Sequence, residues 1–84
     1  MLLTVDIGNT NITMALIGGD NHIAGTFRIT TKAQRTSDEY GSLLMEFCRM
    51  SNVTVSEIKD VIISSVVPQV MYYFNNSIRK YIKK

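Results

Sequence analysis

Asp6-Ile7-Gly8-Asn9-Thr10-Asn11 is the stretch of this 84-residue chain whose residue types and spacing could do chemistry. A carboxylate ends a short apolar run, Leu2 to Asp6, and a polar turn containing glycine follows at once. That order gathers a negative charge and several backbone N–H groups into one small space, which is what a metal-bound phosphate needs. Asp6 would hold Mg²⁺ directly or through water, the N–H groups and the Thr10 hydroxyl would hold phosphate oxygens, and Gly8 would let the chain approach closely. The same residues also make an ordinary hairpin turn, and the spacing is neither a Walker loop nor a dinucleotide fingerprint. The residues alone leave both readings open.

Other reactive side chains read as structure. His22, the one histidine, follows the turn Gly18-Gly19-Asp20-Asn21 and has no nucleophile near it in sequence, so it is expected as an exposed loop-end side chain. Cys48 has no second cysteine to pair with and no Cys/His cluster around it, which excludes an internal disulfide and a structural zinc site of the usual spacing. It falls on an apolar helix face, where a thiol is buried and inert. The methionines share no stripe. Asn52-Val53-Thr54 fits the glycosylation sequon and Asn76-Ser77-Ile78 does not, and the N-terminus has no basic leader with a small-residue cleavage site.

The elements that must position Asp6 follow from periodicity. Leu2 to Asp6, Ile12 to Ile17 and His22 to Thr30 read as three strands separated by two turns, an antiparallel meander with Ile23, Phe27 and Ile29 at even spacing in the third. Apolar residues on both faces of the second strand predict a sheet covered on both sides. Thr36 and Glu39 make a capping box, and Tyr40, Leu43, Leu44, Phe47 and Cys48 then form one helical stripe. Thr54 and Glu57 repeat the capping pattern over a short turn. Val61 to Val67 is an almost unbroken apolar run, which predicts a strand buried on both faces and paired in parallel. Pro68 opens a last helix whose stripe is Val70, Phe74, Ile78, Tyr81 and Ile82. The order β-β-β-α-β-α, with the fourth strand parallel to the first, is a ribonuclease-H-like α/β arrangement with a mixed sheet.

Length and charge narrow the function. Eighty-four residues, 45% of them hydrophobic, form one small domain with one core. No run reaches the roughly 20 apolar residues that span a bilayer, and the chain is expected to be cytoplasmic and without a membrane partner. The net charge is +2, but Arg79, Lys80, Lys83 and Lys84 sit together at the end and leave a mildly acidic body. A nucleic-acid surface spreads bases along a face among aromatics, so no nucleic-acid partner is expected. The helix dipole already favours bases in a last turn.

Three blocks in order, Asp6-Ile7-Gly8-Asn9-Thr10-Asn11, Arg35-Thr36-Ser37-Asp38-Glu39-Tyr40 and Ile63-Ser64-Ser65-Val66-Val67-Pro68-Gln69, resemble the N-terminal part of the type III pantothenate kinase family, which includes the Bvg accessory factors. That family belongs to the superfamily of acetate and sugar kinases, Hsp70 and actin. The resemblance implies residues 1–84 are the first part of a ribonuclease-H-like, actin-like ATP-binding domain. It implies that Asp6, Ile7, Gly8, Asn9, Thr10, Asn11, Ile12 and Thr13 bind ATP, with Asp6 at the Mg²⁺. It also implies a monovalent cation (K⁺ or NH₄⁺), pantothenate as small-molecule substrate, and a homodimer. The third block matches a strand end near the interdomain cleft and carries no assigned contact, while Asp38, Glu39 and Tyr40 read as a helix start. The family's Gly-x-Asp-Arg motif, which holds the general base, and its Asp-x-Gly-Thr motif have no counterpart here, so no catalytic residue is assigned and the chain is expected to be inactive alone. The alternative from another class is a non-catalytic accessory or regulatory binding domain with the same fold.

Overall fold

Strict alternation places Leu3, Val5 and Ile7, and then Ile12, Met14 and Leu16, on one face of two successive strands, and all six are buried. The computed structural model describes residues 1–32 and 34–83, so the Lys84 end of the basic tail lies outside the described residues. β1 (Leu2–Ile7), β2 (Asn11–Ile17) and β3 (Ile23–Thr30) form the antiparallel meander, and β4 (Asp60–Ser65) joins the other side of β1 in parallel. The sheet order is β3-β2-β1-β4.

α1 (Ser37–Met50) starts where the capping box places it: the Thr36 N–H donates to Glu39 Oε1 at 2.9 Å and the Glu39 N–H donates to Thr36 Oγ1 at 3.2 Å. Its stripe buries Tyr40, Leu44, Phe47 and Cys48, with Phe47 stacked on Phe27 of β3 at 5.3 Å between ring centroids. α1 ends where Asn52 takes a left-handed φ of 61°. Gly25 permits the close approach of that end to β3, since a Cβ there would stand 2.2 Å from Ser51 Oγ. α2 (Pro68–Ser77) buries Val70 and Phe74, and Phe74 meets Tyr40 of α1 at 5.2 Å. Burying a side chain of this size contributes roughly 1.5–3 kcal/mol.

Both helices pack on the face that carries Leu3, Val5, Ile7, Ile12, Met14 and Leu16. The other face carries Thr4, Asp6, Thr13, Ile62 and Ser64, and among the described residues nothing covers it. This corrects the expectation of a sheet covered on both sides. β4 is likewise not buried on both faces: Val61 and Ile63 are half-buried under the helices while Ile62 is 59% exposed. β4 also stops at Ser65, because Ser65 Oγ accepts the Val67 N–H at 3.0 Å and turns the chain toward α2. In β3 a bulge opposite Leu16 and Ile17 shifts the phase, so Ile23 leaves the line of Phe27 and Ile29 and is 63% exposed. The final stripe does hold, carried past α2 by one wide turn, Ile78–Ile82, in which the Lys83 N–H reaches the Ile78 carbonyl at 2.8 Å. Ile78 and Ile82 are buried, and Tyr81 is half-buried.

Candidate functional site

β1 delivers Asp6 to its own C-terminal end and to the open face, because alternation from the buried Val5 and Ile7 leaves Asp6 no other side. The connection to β2 is tight. The Gly8 N–H donates to the Asn11 carbonyl at 2.9 Å, and a Cβ on Gly8 would lie 3.2 Å from that same oxygen. Gly8 has no positive φ. Glycine thus eases a close approach of the turn to its own backbone, and the Gly8 N–H is engaged in that closure.

Thr31, the residue that follows β3, braces the turn. The Thr31 hydroxyl donates to the Gly8 carbonyl at 2.8 Å, and the Thr31 N–H donates to the Thr10 carbonyl at 2.9 Å. One residue earlier, the Thr30 carbonyl accepts from the Arg35 guanidinium at 2.6 Å. With these groups engaged, the N–H groups of Asn9 and Thr10 are left without a protein partner among the described residues. Asn9, Thr10 and Asn11 are exposed, so two backbone donors and the Thr10 hydroxyl face solvent beside a carboxylate.

The eight residues matched to a phosphate motif thus divide. Asp6 and Thr13 are direct cross-strand partners on the open face, and Asn9, Thr10 and Asn11 crown the turn above them. Ile7 and Ile12, also cross-strand partners, are fully buried on the opposite face, where their side chains anchor the turn to the core. Their place in the motif is structural.

Register adds two residues that local spacing did not single out. Asp6 pairs with Thr13 on β2 and with Ser64 on β4, and Thr13 pairs with Arg28 on β3. Arg28, Thr13, Asp6 and Ser64 therefore form one transverse polar row across all four strands, each exposed. Strand neighbours lie about 4.8 Å apart, so Thr13 and Ser64 flank Asp6 on either side. No hydrogen bond or ion pair engages the Asp6 carboxylate among the described residues.

Among the described residues no three His, Cys, Asp or Glu side chains come together as a metal cage. A lone carboxylate beside hydroxyls and free N–H groups fits Mg²⁺ that keeps its waters and arrives with phosphates, the usual habit of that ion.

The second block behaves as a helix start. Asp38 accepts hydrogen bonds from Lys80 Nζ at 2.9 Å and the Tyr81 hydroxyl at 2.7 Å, which hold its carboxyl below the usual range. Tyr40 is buried, burial pushes its hydroxyl pKa up, and that hydroxyl donates to the Lys32 carbonyl at 3.0 Å. Burial likewise raises the Cys48 thiol, as an inert cysteine requires. His22 is exposed and paired with Asp20.

A carboxylate ending the first strand of a ββ-hairpin meander, with a parallel fourth strand beside it, defines a ribonuclease-H-like α/β half-domain of the actin-like ATPase class. Sequence comparison resolves the class further. The model of the type III pantothenate kinase family matches residues 2–84, and the chain belongs to that family. It is 60% identical over 82 residues to a type III pantothenate kinase of Bifidobacterium longum, covering 98% of this chain and 32% of that relative. It is 49% identical over 81 residues to one from Agathobacter rectalis (96% of this chain, 31% of the relative) and 46% identical over 82 residues to one from Syntrophotalea carbinolica (98% and 32%). The chain spans about a third of the length of the curated relatives it matches.

Proposed function

We propose that this chain forms the nucleotide-phosphate side of an enzyme that transfers the γ-phosphoryl group of ATP to pantothenate, the first step of coenzyme A synthesis. The observation that carries the reading is Asp6, an exposed carboxylate near the end of β1, unpaired among the described residues, under a turn whose Asn9 and Thr10 N–H groups have no partner among them either. Asp6 would hold Mg²⁺ through its carboxylate or a bound water, while the N–H groups of Asn9 and Thr10 would donate to phosphate oxygens. Mg²⁺, when bound, neutralises charge on the phosphate oxygens. Gly8, Asn11 and Thr13 shape the same turn and strand end, and Ile7 and Ile12 fix it to the core.

The reading takes K⁺ or NH₄⁺ as a monovalent cation, a homodimer as the assembly and the cytoplasm as the location. Phosphoryl transfer needs nucleotide, metal and acceptor held in line. These 84 residues contain neither Gly-x-Asp-Arg nor Asp-x-Gly-Thr, so the chain by itself transfers no phosphoryl group. Its own contribution is binding, and backbone amide spectra test it. Mg·ATP shifts the signals of Gly8 to Thr13, and Asp6→Asn removes the shift. An Asp6→Asn variant that responds like the parent would overturn the assignment of the metal to Asp6.

A further inference from the structure

Ser64 and Ser65 are adjacent and chemically identical, yet the fold gives them opposite fates. Ser65 is half-buried, and its hydroxyl is tied to Val67, donating to the carbonyl at 3.2 Å while accepting the N–H at 3.0 Å. Ser65 therefore shapes the turn into α2. Ser64 points to the open face, is exposed, and has no hydrogen-bond partner among the described residues. The parallel register places it directly beside Asp6, on the side opposite Thr13.

That position is chemically specific. β1 and β4 are the one parallel pair in the sheet, and the carboxyl ends of adjacent parallel strands are where open α/β sheets bind ligands. A single carboxylate leaves most positions of a Mg²⁺ shell to water and phosphate, and those groups need acceptors and donors of their own. A hydroxyl can supply either. Thr13 offers one on the β2 side of Asp6 and Ser64 offers one on the β4 side, so the carboxylate has on each side a hydroxyl able to orient a bound water or phosphate oxygen.

We infer that Ser64 is a positioning residue of the Mg·nucleoside triphosphate site, its hydroxyl orienting a metal-bound water or phosphate oxygen held by Asp6. The inference rests on the reading of Asp6 given above and extends that site from one hairpin to the β4 strand. It predicts that losing one hydroxyl weakens binding without abolishing it, whereas losing the carboxylate abolishes it.

The test is a Mg·ATP titration of the 84-residue chain, followed through the amide signals of Asn9 and Thr10, for the parent, Ser64→Ala, Ser64→Thr, Ser65→Ala and Asp6→Asn. Expected is an affinity about three- to tenfold lower for Ser64→Ala, the worth of one hydrogen bond, with parent-like affinity restored in Ser64→Thr. Adding Mg²⁺ to ATP should tighten binding less in Ser64→Ala than in the parent, a difference that a purely structural role would not produce. Ser65→Ala should instead lower thermal stability. Parent-like affinity and Mg²⁺ response in Ser64→Ala, alongside loss of binding in Asp6→Asn, would overturn the role of Ser64 and leave the Asp6 site standing. No response in the parent would overturn both.

Discussion

Among the described residues, Asp6 differs from most acids of the chain in having no partner. Asp20 pairs with His22, Asp38 with Lys80 and Tyr81, and Glu46 with Arg49, while Glu39 and Glu57 close capping boxes. An unpaired carboxylate beside two hydroxyls at a strand end gives the folded protein nothing obvious, so Asp6→Asn should leave the thermal midpoint essentially unchanged while removing the Mg·ATP response. A large fall in the midpoint would instead make Asp6 a structural residue. Glu39 should behave in the opposite way. The Thr36 backbone and hydroxyl hydrogen bonds lower its pKa below the ordinary 4.5, so its stabilisation is complete above that value and is lost as pH falls through the lowered folded value. Asp38, lowered from 3.8 by its bonds to Lys80 and Tyr81, acts in the same direction. Thermal midpoints should therefore decline on acidification through the carboxylate range, and Glu39→Gln should flatten part of that decline. An unchanged acid profile in Glu39→Gln would contradict the cap assignment. The Asp6 turn was legible in the sequence because its Asp, Gly and polar residues are contiguous. Ser64 was not, since it lies beside Asp6 only through the β1–β4 register.

Helices and strands were legible wherever a local signal fixes them. The Thr36–Glu39 box starts α1 and Pro68 starts α2, while Asn52 at positive φ closes α1. What covers a strand is not local. Val61 to Val67 is apolar on both faces, yet only one face of β4 meets the helices, and hydrophobicity alone does not say which. Nor did alternation reveal the bulge that turns Ile23 outward, or the wide turn that keeps Ile78 and Ile82 on one stripe. That wide turn depends on Gly41. A Cβ there would stand 2.2 Å from the Tyr81 ring, whose hydroxyl is bonded to Asp38. Gly41→Ala should push the ring away, break that hydrogen bond and destabilise by about 1–3 kcal/mol in urea denaturation. Adding Tyr81→Ala should recover part of the loss by opening the space. Equal stability of Gly41→Ala and the parent would contradict this packing. Thr36→Ala should cost about 1 kcal/mol by removing the cap of α1.

Taken whole, the molecule divides its labour between the two faces of one sheet. The helices and the buried face hold β1 to β4 in register, and the register sets Arg28, Thr13, Asp6 and Ser64 in a row on the open face below the Asn9–Thr10 turn. The chain belongs to the type III pantothenate kinase family and spans about a third of the length of the curated relatives it matches, and the phosphate turn proposed above lies on this open face. Incubated with ATP, Mg²⁺ and pantothenate, the chain should make no phosphopantothenate above background, and measurable product would refute the claim that one phosphate turn is insufficient. The most direct test of the central claim compares Mg·ATP with adenosine in one amide titration. The account predicts that Mg·ATP moves Gly8 to Thr13 while adenosine at the same concentration leaves them in place. Signals from Gly8 to Thr13 that stay unmoved by millimolar Mg·ATP, or that move equally for adenosine, would contradict it.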